Sequence, residues 1–129
     1  MRRLLLSLVL SGAVLLTAGC ATSLTPAQFN EQFPKATASK FYSKTSAGEA
    51  ISGGNCKLLV DDRRYIAPIG ALTGDDMKNG ARGVDEWVRA DGGNAYALEN
   101  FEWISVSRGG EYGGVATQLI VYFDTMSCK

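Results

Sequence analysis

Apolar and polar positions divide this chain into stretches of different period. Leu4 to Ala18 is a nearly unbroken apolar run behind Arg2 and Arg3. It is shorter than the ~20 residues that cross a bilayer as a helix, and a basic start before such a run is the pattern of a secretory signal. A short helical pattern opens at Thr25, with Thr25 as N-cap, Pro26 at the first helical position and Gln28 placed to close a capping box. Phe29 and Phe33 stand four apart and share a face, and Pro34 is expected to end the helix. That face either packs on the chain's own domain or docks a partner through Phe29. Residues 35–55, rich in Ser, Thr, Ala, Gly and Lys, show neither period and read as linker.

The second half is more regular. Cys56 to Val60 has strand character, Asp61-Asp62 reads as a turn, and Arg64 to Ala67 resumes as strand. Pro68, Gly70 and Gly74 mark a loop. Thr73 then caps the clearest helix, over residues 75–91: Met77, Ala81, Val84 and Val88 form one apolar stripe, Asp75 and Asp76 suit the positive helix start, and Gly92-Gly93 ends it. Gly80 and Gly83 inside it cost up to ~1 kcal/mol each against alanine, which calls for close approach to a sheet. Asn94 to Val106 reads as a long strand with Tyr96, Leu98, Ile104 and Val106 on one face and Ala95, Ala97, Phe101 and Trp103 on the other. The alternation breaks around Glu99-Asn100-Glu102, where a bulge fits. Beyond the glycine-rich residues 108–114, Val115, Thr117, Leu119, Val121 and Phe123 line one side of a returning strand. The expected fold is α+β, a small mostly antiparallel sheet with one amphipathic helix packed on one face.

Composition removes function classes. The chain has no histidine, so no His general base, nucleophile partner or metal ligand exists. Basic and acidic residues balance at 13 each and no basic stretch dominates, which argues against nucleic acid. Of the acid pairs Asp61-Asp62, Asp75-Asp76 and Asp85-Glu86, the first two fit turn and helix-start roles, and residues 75–80 offer too few oxygens for a calcium loop. Gly109 to Gly114 lacks the lysine and following helix of a phosphate cradle and reads as a hairpin tip, whose Tyr112 is the best candidate for an exposed partner contact. No catalytic residue, cofactor, metal or small-molecule substrate is expected.

The end of the apolar run, Leu16-Thr17-Ala18-Gly19-Cys20, resembles the bacterial lipobox. The resemblance implies cleavage after Gly19, diacylglycerol on the Cys20 thiol and acylation of the new amine, which makes the lipid bilayer the first partner. It divides the chain into a signal peptide (1–19), a lipidated N-terminus and tether (20–51) and a small domain (52–129). Ala21, Thr22 and Ser23 resemble the pattern of lipoproteins sent to the outer membrane, facing the periplasm. With Cys20 acylated, Cys56 and Cys128 remain as an even pair, and an oxidising compartment makes them a structural disulfide. Without Arg2 and Arg3 the mature charge falls to about −2.

Gly80-Ala81-Arg82-Gly83-Val84, followed by Val88 to Leu98, puts an amphipathic helix before a Gly-Asn-Ala turn and an apolar strand. This is similar to the small envelope domains of the Rcs stress-sensor lipoproteins. Those sensors carry more domain cysteines and a proline-rich tether, whereas residues 21–55 here hold only Pro26 and Pro34. The likeness implies a periplasmic domain that signals through contact with an envelope protein, without catalysis. The rival expectation is an enzyme-inhibitor lipoprotein of the lysozyme-inhibitor type, with the Gly109–Gly114 loop plugging a cleft on an all-β barrel.

Overall fold

The computed structural model, described over residues 24–69, 73–107 and 115–129, runs α1 (Pro26–Ala36), β1 (Lys40–Tyr42), α2 (Lys44–Ser52), β2 (Cys56–Ile66), α3 (Thr73–Ala90), β3 (Ala95–Ser107) and β4 (Val115–Cys128). The sheet order is β1-β3-β4-β2. The hairpin pairs β3 and β4 antiparallel from Ala95 opposite Met126 to Ser107 opposite Val115, and β2 adds antiparallel to the other side of β4. Only β1 is parallel, with Lys40, Phe41 and Tyr42 opposite Ala95, Tyr96 and Ala97 of β3. The fold is α+β with a mostly antiparallel sheet.

The stripe read from the sequence is the buried face of α3: Met77, Ala81, Val84 and Val88 are at most 7 % exposed. They join Tyr96, Leu98, Leu119, Val121 and Phe123 in the main core. The valine, leucine, methionine and phenylalanine side chains among them each gain about 1.5–3 kcal/mol from leaving water. The two helix glycines have the expected cause. A Cβ on Gly80 would stand 2.9 Å from Leu119, and one on Gly83 would fall inside the Tyr65 ring. Gly92, at φ +84°, turns the chain out of α3 in the left-handed region that glycine enters freely.

Four expectations are corrected. The segment read as linker is built into the fold. Ser43 caps α2 through a box with Ser46, and Ala47 packs with Tyr42, Ala95, Ala97, Cys56 and Met126 in a second cluster on the opposite face of the sheet. Three of its six buried residues are alanines, Ala47, Ala95 and Ala97, and such small residues gave α2 no amphipathic signal. The helices therefore number more than one and cover both faces, α1 and α3 on one and α2 on the disulfide end of the other. Thr25 and Gln28 form the expected capping box, but Pro34 sits inside the last turn of α1 and does not end it. Finally, Asp61-Asp62 does not break β2; it lies within one strand whose register shifts on either side of Val60, with Asp62 at φ 58°.

The bulge in β3 is present, between Leu98 and Asn100. Its consequence reverses half of the expected faces. One extra residue, Glu99, rotates the strand, so Phe101 and Trp103 join Tyr96 and Leu98 against the main core, while Ala95 and Ala97 face α2.

Asp85 of α3, buried, accepts hydrogen bonds from the Ala38 and Ser39 amides at 2.8 and 2.9 Å and so anchors the turn between α1 and β1. Asp91, directly after α3, ties the end of that helix to the sheet. It pairs with Arg63 of β2 and accepts from Thr125 Oγ1 at 2.7 Å. The Arg63 guanidinium, which also lies 5.0 Å over the Trp87 ring, holds the Asp91 carboxyl below the usual carboxylate range. Asp85, noted in the sequence, and Asp91 are thus structural.

Candidate functional site

Two bulges bring together what the sequence keeps apart. The irregularity in β2 exposes Asp61 and Asp62, and the β3 bulge presents Glu99 beside Asp124 of β4. The Asp62 amide donates to Asp124 Oδ1 at 2.9 Å. Carboxylate oxygens of Asp61, Asp62 and Asp124 lie within 4.8 Å of one another. Among the described residues these are the acids close enough to share a cation. Lys44, at the start of α2, meets Glu99 at 3.1 Å from the other side.

Burial, with Asp61 and Glu99 close by, pushes the Asp124 carboxyl up to about 7, against the opposing pull of the Asp62 amide. The acid is therefore held partly protonated near neutral pH, its proton shared with neighbouring carboxylates. Below the unfolded pKa of 3.8 Asp124 is protonated folded or unfolded, and its contribution to stability is complete. Between there and about 7 the unfolded chain ionises first, so stability falls as pH rises. Asp124→Asn keeps an acceptor for the Asp62 amide and removes the charge. Because Asp124 is only partly buried, solvent screening leaves an expected gain of about 1 kcal/mol at pH 8 and none at pH 3.5. Urea midpoints of both proteins at the two pH values measure it. Equal gains at both would mean that charge is not the cause.

Beside this cluster lies a groove of about 530 Å³ between α1, β1, the start of α2 and β3. Phe41, Leu98 and Phe101 supply its apolar lining, and Pro26, Asn30, Asn100 and Lys44 its polar and outer rim. β1 ends at Tyr42 opposite Ala97, so among the described residues the edge of β3 beyond Ala97 has no strand beside it. Glu99 belongs to both features.

The residues singled out in the sequence fare differently. Phe29 is not an exposed contact: it is 0 % exposed, stacked on Phe33 at 4.9 Å and on Phe101 at 3.9 Å. An aromatic pair on a short amphipathic helix beside an open sheet face is drawn into the core. Cys56 and Cys128 are bonded and stand directly opposite in the β2–β4 register. Cys20, the lipobox, Tyr112 and the Gly109–Gly114 tip lie outside the described residues. Trp87 and Tyr96 belong to the main core or pack on it. Sequence reasoning missed Glu99, Asp124 and Lys44, because their proximity follows from bulge placement and from α2, neither of which leaves a local motif. Among the described residues no helix is long and apolar enough to cross a membrane. Compared with known proteins, the chain matches no family model, no curated protein and no solved structure.

Proposed function

We propose that this chain is a lipid-anchored protein of the bacterial envelope, tethered through Cys20 and facing the periplasm from the outer membrane. Its domain works by contact with another envelope protein and not by catalysis. The observation that carries the reading is the cysteine partition. Cys56 and Cys128 are bonded to each other, which leaves Cys20, directly after Ala18-Gly19, as the one cysteine of the chain outside the pair. A disulfide suits an oxidising compartment, and a lipobox suits the same side of the membrane.

The contact role draws on the surface. Leu58 and Ile66 stand opposite Met126 and Ile120 on the face away from α3, and at 41 % and 46 % exposed they are large apolar side chains left in water. Ile51 of α2 adds a third at 38 %. The absence of histidine limits acid–base chemistry near neutral pH to groups such as Asp124. The inhibitor alternative asks for an all-β barrel, and an open sheet with helices on both faces gives it less support.

The test is mass spectrometry of protein purified from membranes of an expressing bacterium. The expected mature N-terminus is Cys20 carrying a diacylglyceryl thioether and an acylated amine, and Cys20→Ser is expected to move the protein out of the membrane fraction. A mature chain that starts elsewhere, or a Cys20→Ser protein that stays in the membrane, would overturn the anchor.

A further inference from the structure

The tether is far shorter than the linker-like sequence suggests, and its attachment point selects which end of the domain meets the lipid. This inference rests on acylation of Cys20, proposed above. Residues 35–55 contribute no slack, since β1 and α2 are packed parts of the fold. The fold holds the chain from Thr25, whose side chain caps α1, and the next turn is fixed by Phe29 at 0 % exposure. Six residue steps separate Cys20 from Pro26. Even fully extended they reach no more than roughly 20 Å. A domain of this size has a radius of gyration of about 13 Å, so the anchor cannot reach all of its surface equally.

Pro26 lines the groove, together with Asn100 and Phe101 near the middle of β3. One end of the sheet is marked by the disulfide. Asn94, just before β3, holds both the amide and the carbonyl of Cys128 at 2.8 Å. From there to Phe101 the strand advances by roughly 20 Å. The anchor therefore starts beside the groove, on the β1–β3 edge of the sheet, and Cys56, Cys128 and Leu58 lie away from it, at the Asn94 end of the sheet in β2 and the end of β4.

We infer that the α1 N-terminus and the groove formed by Pro26, Phe41, Leu98 and Phe101 lie against the phospholipid surface, and that the disulfide end points away from it. The chemistry at the groove suits headgroup depth. Its lining is apolar, its rim holds amides and Lys44, and its one carboxylate, Glu99, is paired with that lysine. A surface held within about 20 Å by a tether is presented at millimolar effective concentration, so even a weak apolar contact is populated. Leu58 and Ile51 are then left facing the aqueous side, available to a protein.

The experiment uses the full acylated protein in vesicles of phosphatidylethanolamine and phosphatidylglycerol, with Asn30, Lys44 or Lys57 replaced in turn by a photoreactive benzophenone amino acid. All three positions are exposed. Phospholipid adducts are expected at 30 and 44 in about tenfold excess over 57. A flexible Gly/Ser insert of about 20 residues after Ala21 should lower the adducts at 30 and 44 about tenfold, following the inverse three-halves power of tether length. Equal yields at the three positions, or an excess at 57, would overturn the orientation. So would yields that ignore the insert. The same spectra report Cys20: an unmodified cysteine removes the anchor and the orientation together, whereas an acylated Cys20 with equal yields removes the orientation alone.

Discussion

Phe29→Ala is expected to destabilise the domain by about 3–5 kcal/mol, the range for removing a fully enclosed aromatic side chain. The ring is sandwiched, with Phe33 on one side at 4.9 Å and Phe101 on the other at 3.9 Å, and no part of it reaches solvent. Neighbours cannot collapse easily into the space. Phe33 is itself fixed edge-on to Tyr96, and Phe101 is a strand residue pinned opposite Val121. The loss goes beyond one helix, because α1 meets α3 and carries the attachment of the N-terminal segment. Urea denaturation followed by tryptophan fluorescence is the measurement, since Trp87 packs against the same core. A midpoint close to that of the unsubstituted protein would favour the partner-docking role for Phe29, the alternative to packing on its own domain.

Breaking the Cys56–Cys128 bond is expected to remove about 4 kcal/mol, the chain-entropy value for a loop of this length. The sequence separation is 72 residues, and the loop encloses β2, α3, β3 and nearly all of β4. The bond also closes the end of the sheet. Lys129 donates to the Asn55 carbonyl at 2.9 Å, and Asn94 grips Cys128 from the β3 side. Unfolding of the Cys56→Ser/Cys128→Ser protein should therefore show both a lower midpoint and earlier amide exchange at Lys57, Ser127 and Lys129 than at Val121. Equal midpoints for the bonded and the doubly substituted protein would mean that the sheet closes without the bond. Loss limited to a partner-dependent activity, with stability kept, would favour a redox role for the pair.

How much of this could be read from the chain depends on the size of the side chains involved. The stripe on α3 was legible because Met77, Val84 and Val88 are large enough to set a period against charged neighbours. The hairpin was legible because Leu119, Val121 and Phe123 alternate with residues that face the other side. The capping box of α1 was legible because Thr25, Pro26 and Gln28 each have a backbone reason for their place. Helix α2 was not. Its buried contact is Ala47 against Ala95 and Ala97, and packing between small residues has no hydrophobic signature, only a fit.

Bulges hid the rest. The interruption at Glu99 was seen, but its effect on Phe101 and Trp103 requires carrying the one-residue shift along the strand. Counted back from the disulfide without irregularities, Asp124 would face Val60. The two shifts in β2 bring Asp62 there instead. The acid cluster is thus a product of register, and pairwise register between strands 60 residues apart is set by packing and turns together.

The parallel pairing of β1 has a temporal consequence. Lys40 to Tyr42 bind Ala95 to Ala97, and Phe33 leans on Tyr96, so these residues have their partners more than 50 positions later in the chain. Nothing nearby in sequence can shelter Phe29 and Phe33 while the intervening residues are synthesised. The hairpin of β3 and β4 must assemble before α1 and β1 can seat, which gives the molecule a high contact order and a slow final closure. Until that moment four aromatic side chains that the fold covers, Phe29, Phe33, Phe41 and Tyr42, lack their partners, which makes the unfinished chain prone to aggregation.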